Sequence, residues 1–339
     1  MEASKPLMKH YSAKLKQATL LWLEGFREAC CLHRVVILCY RSRELLIRTG
    51  QCFLLNGFIF LGSMFVLNRV VVPMLHWILP DQSSQFSSQI ALSLGCILKF
   101  YSIIRHGLIQ LFYVFWFYPL YVFSLILSNI WYNDIAKFGF AAMGRSGPSG
   151  VEPSSPSESI TAKSTIHTKR LAGLGGVVVG IAEQVYSVLL LSFFFLEVFA
   201  TGFVPYVGKV LNFLLLSWMY AYYCFEYKWN ISEVALEKRL DFFESNWAFF
   251  AGFGSPCVLA IFLFSPLVSY GVMAILFPLF VLTATGSGAE QDISFQRRKW
   301  KGVGLGRLPI FYAADTLSLR VLSLLPLEHQ DQIQDNKAH

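Results

Sequence analysis

One long run without a charged side chain constrains the fold of this sequence more than any other stretch. The run extends from Val210 to Phe225, between Lys209 and Glu226. In water such a helix would need protein on every side, whereas a bilayer is an apolar solvent that about 20 apolar residues can cross. The run therefore predicts a membrane helix over about 206–229. Aromatic residues at its polar end predict an interfacial belt; they are Tyr220, Tyr222, Tyr223, Tyr227 and Trp229.

The composition extends this prediction to the whole chain. Hydrophobic residues make up 55% of the sequence and charged residues only 14%, against about 25% charged in average soluble domains. Because several other apolar runs are present, we expect an all-α integral membrane protein, a polytopic helical bundle with long transmembrane helices. The net charge of +7 does not indicate a nucleic-acid partner. The basic residues concentrate between the apolar runs, as in cytoplasmic loops that face anionic lipid, so the lipid bilayer is the first expected partner.

The alternation of apolar and polar segments predicts the domain organisation. The expected regions are a cytosolic amphipathic basic region (1–50), first membrane helices (51–140, with helices at about 51–79 and 90–130), a disordered Gly/Pro/Ser-rich cytosolic loop (141–171), second membrane helices (172–286, with helices at about 173–204, 206–229, 251–264 and 267–285, and a cytosolic amphipathic helix at 231–246), and a C-terminal tail that is first basic and then polar (287–339).

The N-terminal region predicts one amphipathic helix over Tyr11–Arg48. Arginines recur every seven residues and would share one face of a continuous helix; they are Arg27, Arg34, Arg41 and Arg48. Such a helix can lie in the headgroup plane with its arginines toward anionic lipid. It can equally pack on the bundle and present a solvated face. The sequence leaves both interpretations open.

Two apolar runs depart from a simple crossing helix. As one helix, 90–130 would be roughly 60 Å long, about twice the hydrocarbon thickness. It would therefore project beyond the membrane, bend, or divide near Lys99–Gly107. Farther along, Ser265–Pro266 separates 251–264 from 267–285, because proline removes a backbone donor and commonly breaks a helix. These two helices predict a proline-split hairpin that penetrates the membrane only partly.

The distribution of basic residues predicts the orientation. With both termini in the cytosol, the basic segments around Arg41, Lys169, Lys238 and Arg298 all fall on the cytosolic side. The connections on the opposite side, including the loop at Asp81, contain almost no lysine or arginine, which is the arrangement that membrane proteins prefer. The N-terminus has no apolar segment close behind its charges, so no cleaved secretory signal is expected.

No arrangement of residues in the sequence indicates catalysis. The HExxH, GxSxG and phosphate-loop patterns do not occur, and the cysteines lack metal-ligand spacing. We therefore predict a non-enzymatic protein without a metal or a cofactor. The acidic residues near 231–246 are interpreted as a solvated helix face; they are Glu233, Glu237, Asp241 and Glu244.

Ionisable residues inside or beside the apolar runs form the candidate site. They are Arg69, Lys99, Arg105, Glu183, Glu197 and Glu226. In one interpretation these residues pair with one another or extend to the headgroups. In the other, the three basic residues line an anion path, assisted by helix N-termini near Pro205 and Pro256. Glu183 and Glu197 would repel an anion on that path unless the same cations neutralise them.

Four ordered motifs resemble a known family. They are NIWYNDIA (Asn129–Ala136), YAYYCFEYKW (Tyr220–Trp229), ESNWAFFAGFGSP (Glu244–Pro256) and ILFPLF (Ile275–Phe280). With the run around 52–75, they make the chain similar to the etoposide-induced protein 2.4 family, which is grouped with the bacterial sulfate permease CysZ. The resemblance covers roughly three-fifths of the chain, from Arg48 to Gly139 and from Val177 to Gly286.

The resemblance implies long transmembrane helices with partly penetrating helix pairs. It also implies residence in the endoplasmic reticulum and a role in autophagy, apoptosis and the restraint of growth or survival. A sulfate-type anion permease is the alternative that the CysZ kinship implies, and a scaffold with a lipid-sensing N-terminal helix is a third. Protein partners are not identified by the sequence, and a homo-oligomer is compatible with it.

Overall fold

The computed structural model describes residues 4–78, 91–144, 174–299 and 305–324, and every regular element in these ranges is a helix. The helices are α1 (Ser4–Ala29), α2 (Leu32–Arg41), α3 (Arg43–Ile78), α4 (Ala91–Ala142), α5 (Leu174–Thr201), α6 (Gly208–Ile231), α7 (Leu236–Ser245), α8 (Trp247–Leu263), α9 (Pro266–Gly286), α10 (Ala289–Lys299) and α11 (Tyr312–Leu324). Helix α3 includes two π-helical stretches, Leu54–Leu61 and Leu67–Val71. The all-α prediction is confirmed.

Four of the described helices are long and apolar enough to cross a membrane. They are Arg43–Ile78, Phe100–Ala142 within α4, Gln184–Thr201 within α5, and Val268–Gly286 within α9. In the first three, only 17% of the most apolar window is buried, and large apolar side chains such as Phe58 and Phe115 are exposed. An exposed apolar surface of this extent requires lipid around it. The protein is therefore a multi-pass membrane protein, as predicted.

A fifth possible span is broken. Helices α7 and α8 are long and apolar enough to cross a membrane only when taken together, and they meet at an angle of 89°. Helix α6, which contains the uncharged run Val210–Phe225, is not among the candidate spans. Because many of its side chains are buried by protein, including Trp218 and Phe225, protein packing replaces much of the lipid contact that the sequence predicted.

The N-terminal region is three helices and not one, so the prediction of a continuous helix is wrong. Helix α1 ends at Ala29, and α2 is separated from α3 at Ser42. The Ser42 hydroxyl caps α3 by accepting a hydrogen bond from the Leu45 backbone amide at 3.3 Å, a common N-terminal cap. The heptad arginines are consequently distributed over all three helices, and Arg48 lies 3.5 Å from Asp134.

Helix α4 settles the interpretation of the long apolar run. It is one continuous helix of 52 residues with Pro119 inside it, about 78 Å long at the standard rise. It therefore does not divide near Lys99–Gly107. It also continues to Ala142, beyond the apolar run, because Tyr132 and Ile135 are buried against the protein. The predicted disordered loop falls mainly on 145–173, outside the described residues.

The proline-split pair has the break that the sequence predicts. Helix α8 ends at Leu263 and α9 begins at Pro266, and the Ser269 hydroxyl donates a hydrogen bond to the Ile261 carbonyl at 3.0 Å. The C-terminal region also contains helices α10 and α11, where the sequence predicted only a polar tail, and 325–339 lies outside the described residues.

The described residues divide into two compact units. The first contains 4–30, 174–258 and 287–324 without the undescribed 300–304, and the second contains 31–144 without the undescribed 79–90, together with 259–286. The boundaries leave α1, α5, α6 and α7 in the first unit and α2, α3 and α4 in the second. Helix α8 contributes residues to both.

An aromatic core organises the first unit, and it contains two of the five residues of the predicted interfacial belt, Tyr222 and Trp229. Tyr222 is fully buried, with ring centroids 5.5 Å from Phe243 and 5.3 Å from Phe311. Trp229 is also buried and lies 5.7 Å from Tyr222. Edge-to-face pairs at these distances add to the hydrophobic gain from burial. These rings therefore hold α6, α7 and the segment before α11 together, whereas an interfacial belt would have left them at the lipid–water boundary.

Glycines allow α1 to approach α8 closely within the first unit. A Cβ on Gly252 would lie 1.9 Å from the Trp22 carbonyl oxygen, and one on Gly25 would lie 2.0 Å from the Phe249 carbonyl oxygen. Both neighbours are backbone atoms, so neither can move without moving its helix. Such close approach through small residues is typical of packed membrane helices.

We expect Gly252→Ala to destabilise the protein, because the added methyl group forces α1 away from α8. The expected loss is about 1–3 kcal/mol, measured as a lower thermal unfolding midpoint in detergent. Gly62→Ala is the matched control, since a Cβ at Gly62 meets nothing within 4 Å and alanine favours a helix. Equal unfolding midpoints for the two variants would contradict the close contact between α1 and α8.

Candidate functional site

The second unit contains a buried polar cluster built around a carbonyl that a proline leaves without its helical partner. Pro278 lies inside α9 and has no backbone N–H, so it cannot bond to the Ala274 carbonyl one turn earlier. The Tyr132 hydroxyl of α4 donates to this carbonyl at 3.0 Å, and the Asn56 amide of α3 donates to it at 3.4 Å. Side chains from two helices thus satisfy a backbone group on a third.

Asn56 is the centre of this group, which we call the Asn56 cluster: Cys52, Asn56, Ser124, Ser128, Tyr132 and the Ala274 carbonyl. The Asn56 amide nitrogen donates to the Ser128 hydroxyl at 2.9 Å, and the Ser124 hydroxyl donates to the Asn56 amide oxygen. Asn56 is fully buried. It lies in the first π-helical stretch of α3, a local distortion that occurs frequently at functional sites.

Two glycines bring the helices of the cluster together. A Cβ on Gly57 would lie 3.3 Å from Ile275, and one on Gly271 would lie 2.3 Å from the Leu61 side chain. Helix α3 therefore packs closely on α9 at the level of the cluster. The cluster is neutral and its members bond to one another, so its evident chemical work is to join α3, α4 and α9 through hydrogen bonds inside an apolar environment.

The sequence analysis did not select the residues of the Asn56 cluster, although two features of the sequence pointed to them. Asn56 stands inside an apolar run, where a polar side chain requires a partner. Pro278 in ILFPLF has no N–H, so within a helix it leaves the carbonyl four residues earlier without its backbone hydrogen bond. What the sequence could not supply is the pairing of Asn56 with Ser124 and Ser128, because those residues are separated from it by about seventy positions.

The basic candidate residues fall in the second unit. Arg69 is exposed in the second π-helical stretch, with its guanidinium 5.7 Å from the centroid of the Phe65 ring. Arg105 is buried on α4. The neighbouring Asn68 accepts a hydrogen bond from the Tyr113 hydroxyl at 2.6 Å, which joins this part of α3 to α4. The Lys99 side chain lies outside the described residues.

The acidic candidates fall in the first unit. Glu197 is half-buried on α5, and one of its carboxyl oxygens has no hydrogen-bond partner within the described part of the chain. Glu226 is half-buried on α6. The Glu183 side chain lies outside the described residues. The six candidates are thus divided by unit, and their union in one charge cluster or anion path stays a prediction.

Glu244 forms a second polar site, in the first unit, and corrects the interpretation of the acidic face. Its carboxylate accepts from Arg307 Nε at 2.7 Å and from the Phe311 backbone amide at 3.1 Å, while Arg307 also lies 3.0 Å from Asp241. Glu244 is 4% exposed. The hydrogen bond to Glu244 raises the pKa of Arg307, so the guanidinium remains charged at any physiological pH.

We call this arrangement the Glu244 clasp, consisting of Glu244, Arg307 and Phe311. The sequence predicted a solvated acidic face over 231–246. The helix is in fact Leu236–Ser245, and Glu237 and Asp241 are exposed as expected. Glu244 instead holds 305–311 against α7, and it does so by turning toward the aromatic core. Phe311, the residue that its carboxylate binds, packs 4.8 Å from Phe194.

A cavity of about 560 Å³ lies beside the Glu244 clasp. Its walls come from α5, α7 and α11 and include Tyr186, Leu240 and Tyr312. The Tyr186 hydroxyl donates to the Asp315 carboxylate at its edge. A cavity of this size can hold a small molecule, but four of the polar groups that line it are already bonded in pairs, Tyr186 with Asp315 and Arg307 with Glu244.

One acidic group in the first unit has the composition of a cation site. Carboxyl oxygens of Glu24, Glu28 and Asp292 lie within 4.8 Å of one another. Glu24 is paired with Arg27 across one turn of α1. Three carboxylates without a further ligand do not define a metal site, and we assign none here.

Comparison with known families supports the resemblance that the four sequence motifs predict. The model of the family described as sulfate transporter CysZ/etoposide-induced protein 2.4 matches residues 31–278, which include all of α2–α8. The chain belongs to this family. No solved structure matches the chain.

Curated relatives of the family extend over most of the chain. It is 66% identical over 316 residues to Protein EI24 homolog of Arabidopsis thaliana, covering 93% of this chain and 98% of that protein. It is 26% identical over 309 residues to Protein EI24 homolog of Dictyostelium discoideum, covering 90% and 84%. Ectopic P granules protein 4 of Caenorhabditis elegans is 26% identical over 169 residues, covering 49% and 46%. The resemblance stated from four motifs is therefore confirmed.

We expect Tyr132→Phe to destabilise the protein by about 1 kcal/mol, because it removes a donor from the Ala274 carbonyl. In a Pro278→Ala background the same change should cost less, since residue 278 regains an N–H that can bond to that carbonyl. Thermal unfolding of the four proteins in detergent gives the coupling between the two positions. Additive effects would contradict the role of Pro278 in forming the Asn56 cluster.

Glu244→Ala should release the segment 305–311. Loss of two charge-assisted hydrogen bonds is expected to accelerate tryptic cleavage after Arg307 about tenfold or more, measured by mass spectrometry of the limited digest. Glu237→Ala is the matched control, because Glu237 is exposed on the same helix. If both variants are cleaved at the rate of the wild type, the Glu244 clasp does not restrain this segment.

Proposed function

We propose that this multi-pass membrane protein resides in the endoplasmic reticulum and acts, without enzymatic activity, in autophagy and the restraint of growth and survival. The supporting observation is the 66% identity to Protein EI24 homolog over nearly the full length of both chains. The family resemblance implies this role, and the distribution of the basic residues supports the proposal that both termini lie in the cytosol.

The geometry is compatible with a role carried by helix contacts and exposed surfaces. In the second unit, Asn56 and Tyr132 bond to partners within the protein. In the first unit, Glu244 and Arg307 bond to each other. These groups stabilise the arrangement of helices, and none of the hydrogen bonds described aligns a nucleophile with a base. In the proposed function, the protein therefore acts through the surfaces that its packed helices present to the membrane and to the cytosol.

A sulfate-type anion permease is the alternative, and one observation favours it. The family description includes a sulfate transporter, and Arg69 and Arg105 occur in the same unit, in which the Asn68–Tyr113 hydrogen bond joins α3 to α4. Arginine binds sulfate-like oxyanions well because its guanidinium offers several donors in one plane. The permease would use these arginines, with Lys99 as a further expected member.

The two functions predict different results for the same variant. In cells that lack the protein, we expect turnover of autophagic cargo to slow, and we expect wild-type protein and the Arg69→Ala/Arg105→Ala variant to restore it equally. Cargo flux is measured with and without inhibition of the degradative compartment. Cargo turnover unchanged by loss of the gene removes the autophagy proposal.

Purified protein in liposomes tests the permease directly. The proposed non-transport role predicts sulfate uptake no greater than that of empty vesicles. Uptake above this level that falls on Arg69→Ala/Arg105→Ala, but not on Lys238→Ala/Arg320→Ala, would replace the proposed function by the permease. Lys238 and Arg320 are exposed cations of the first unit and serve as the charge-matched control.

A further inference from the structure

A second cavity, of about 520 Å³, lies in the second unit where α2 and α3 meet. Its walls are almost entirely apolar and come from both helices, with Leu279 of α9 closing one side. Gly50 lines it, and a Cβ on Gly50 would meet no atom within 4 Å. The space in front of this glycine is therefore open, and a substance of apolar character can enter it.

The rim of this cavity is apolar and uncovered. Val36 is 54% exposed, Tyr40 87% and Leu46 54%. Helix α3 continues from the cavity into a candidate membrane span, and Leu279 belongs to another. The cavity is thus partly lined by two candidate spanning helices, beside which acyl chains of the bilayer are the abundant apolar molecules. Exposed apolar side chains in this position are covered at least cost by lipid.

One wall group has an unfulfilled hydrogen bond. Thr49 is 4% exposed and lines the cavity, and its hydroxyl makes no hydrogen bond that meets normal geometry within the described residues. Its neighbour is the Cys39 thiol, whose pKa is raised by burial, so the thiol is neutral at physiological pH and is only a weak partner. A buried hydroxyl normally has a hydrogen-bond partner in the protein or in an ordered water molecule, and a bound ligand with an acceptor oxygen would supply one here.

The charged groups around the meeting point of α2 and α3 favour an anion. Arg41 ends α2 and Arg43 begins α3, and both are exposed. Glu44 is the adjacent acidic residue and is also exposed. Arg48, one turn farther along α3, is paired with Asp134. The local excess of positive charge attracts the anionic headgroups of the cytosolic leaflet.

We propose that this cavity binds one acyl chain of an anionic phospholipid from the surrounding bilayer. The chain occupies the apolar space in front of Gly50, the Thr49 hydroxyl donates a hydrogen bond to an ester carbonyl oxygen of the lipid, and Arg41 and Arg43 contact the phosphate-containing headgroup. A neutral phospholipid offers the same acyl chain but no net negative charge, and a sterol offers neither the ester nor the phosphate.

Native mass spectrometry of the full-length protein in mild detergent tests this site. Delipidated protein is titrated with phosphatidylserine and with phosphatidylcholine of identical chains. We expect one saturable phosphatidylserine adduct that binds about tenfold more tightly than phosphatidylcholine, since each nearby arginine strengthens binding of an anionic lipid severalfold. If phosphatidylcholine or cholesterol forms the tighter adduct, the proposed ligand is wrong.

Gly50→Phe fills the cavity, and Gly62→Phe is its matched control, because a Cβ at Gly62 on the same helix also meets nothing within 4 Å. We expect only Gly50→Phe to abolish the saturable adduct. Thr49→Val provides a second test that preserves the side-chain shape, and it should weaken binding severalfold without lowering the unfolding midpoint. Equal lipid binding by Gly50→Phe, Thr49→Val and Gly62→Phe would overturn the proposal.

The headgroup contact has its own pair of variants. Arg41→Ala/Arg43→Ala should reduce the affinity for phosphatidylserine to that for phosphatidylcholine and leave the latter unchanged. Lys238→Ala/Arg320→Ala removes the same charge from exposed positions of the first unit and should retain the preference. An equal loss of preference in both double variants would show a general effect of net charge and would contradict the site.

Discussion

A backbone group inside a bilayer must find its hydrogen-bond partner within the protein, and this constraint determines the construction of the second unit. Proline at position 278 removes the donor that the Ala274 carbonyl would have in a regular helix. Tyr132 and Asn56 supply the missing donors, and they can do so only if α3 and α4 lie against α9. The hydrogen bond missing from α9 is therefore the reason that α3, α4 and α9 have a fixed register.

The π-helical stretches of α3 belong to the same constraint. A π-helical turn redirects the side chains that follow it, and Asn56 lies within one that extends over Leu54–Leu61. Gly57 and Gly271 then permit the close approach of α3 and α9 that brings the Asn56 amide within reach of the Ala274 carbonyl. Local backbone geometry, small residues and a proline act together here. Each would be a weakness in a membrane helix by itself, and their combination produces a specific contact.

Sequence reasoning predicted the elements better than their environment. Periodicity and composition identified the helical class, and Ser265–Pro266 identified the break between α8 and α9, because proline acts locally. The prediction that lipid surrounds α6 was wrong, since an apolar and aromatic run looks the same in sequence whether lipid or protein surrounds it. Tyr222 packs against Phe243 and Phe311, and Trp229 packs against Phe242 and Phe250. These partners are distant in sequence, and no local pattern contains that information.

The same limit explains the errors on charged residues. The heptad arginines share a face only in an unbroken helix, and the chain that carries them is interrupted after Ala29 and again at the capping Ser42. Glu244 has the spacing of a solvated face, yet it is buried because Arg307 and the Phe311 amide, from beyond α10, bind its carboxylate.

The division of the candidate charges bears on the permease alternative. The objection raised from sequence was that Glu183 and Glu197 would repel sulfate. Helix α5, which carries both, belongs to the first unit, whereas Arg69 and Arg105 belong to the second. Within the second unit, the arginines are accompanied by a neutral cluster in which Ser124 donates to the Asn56 amide oxygen and Tyr132 donates to the Ala274 carbonyl. An anion that entered there would have to be held by the arginines themselves, because displacing the bonds of the Asn56 cluster would again leave the Ala274 carbonyl without a donor in an apolar environment.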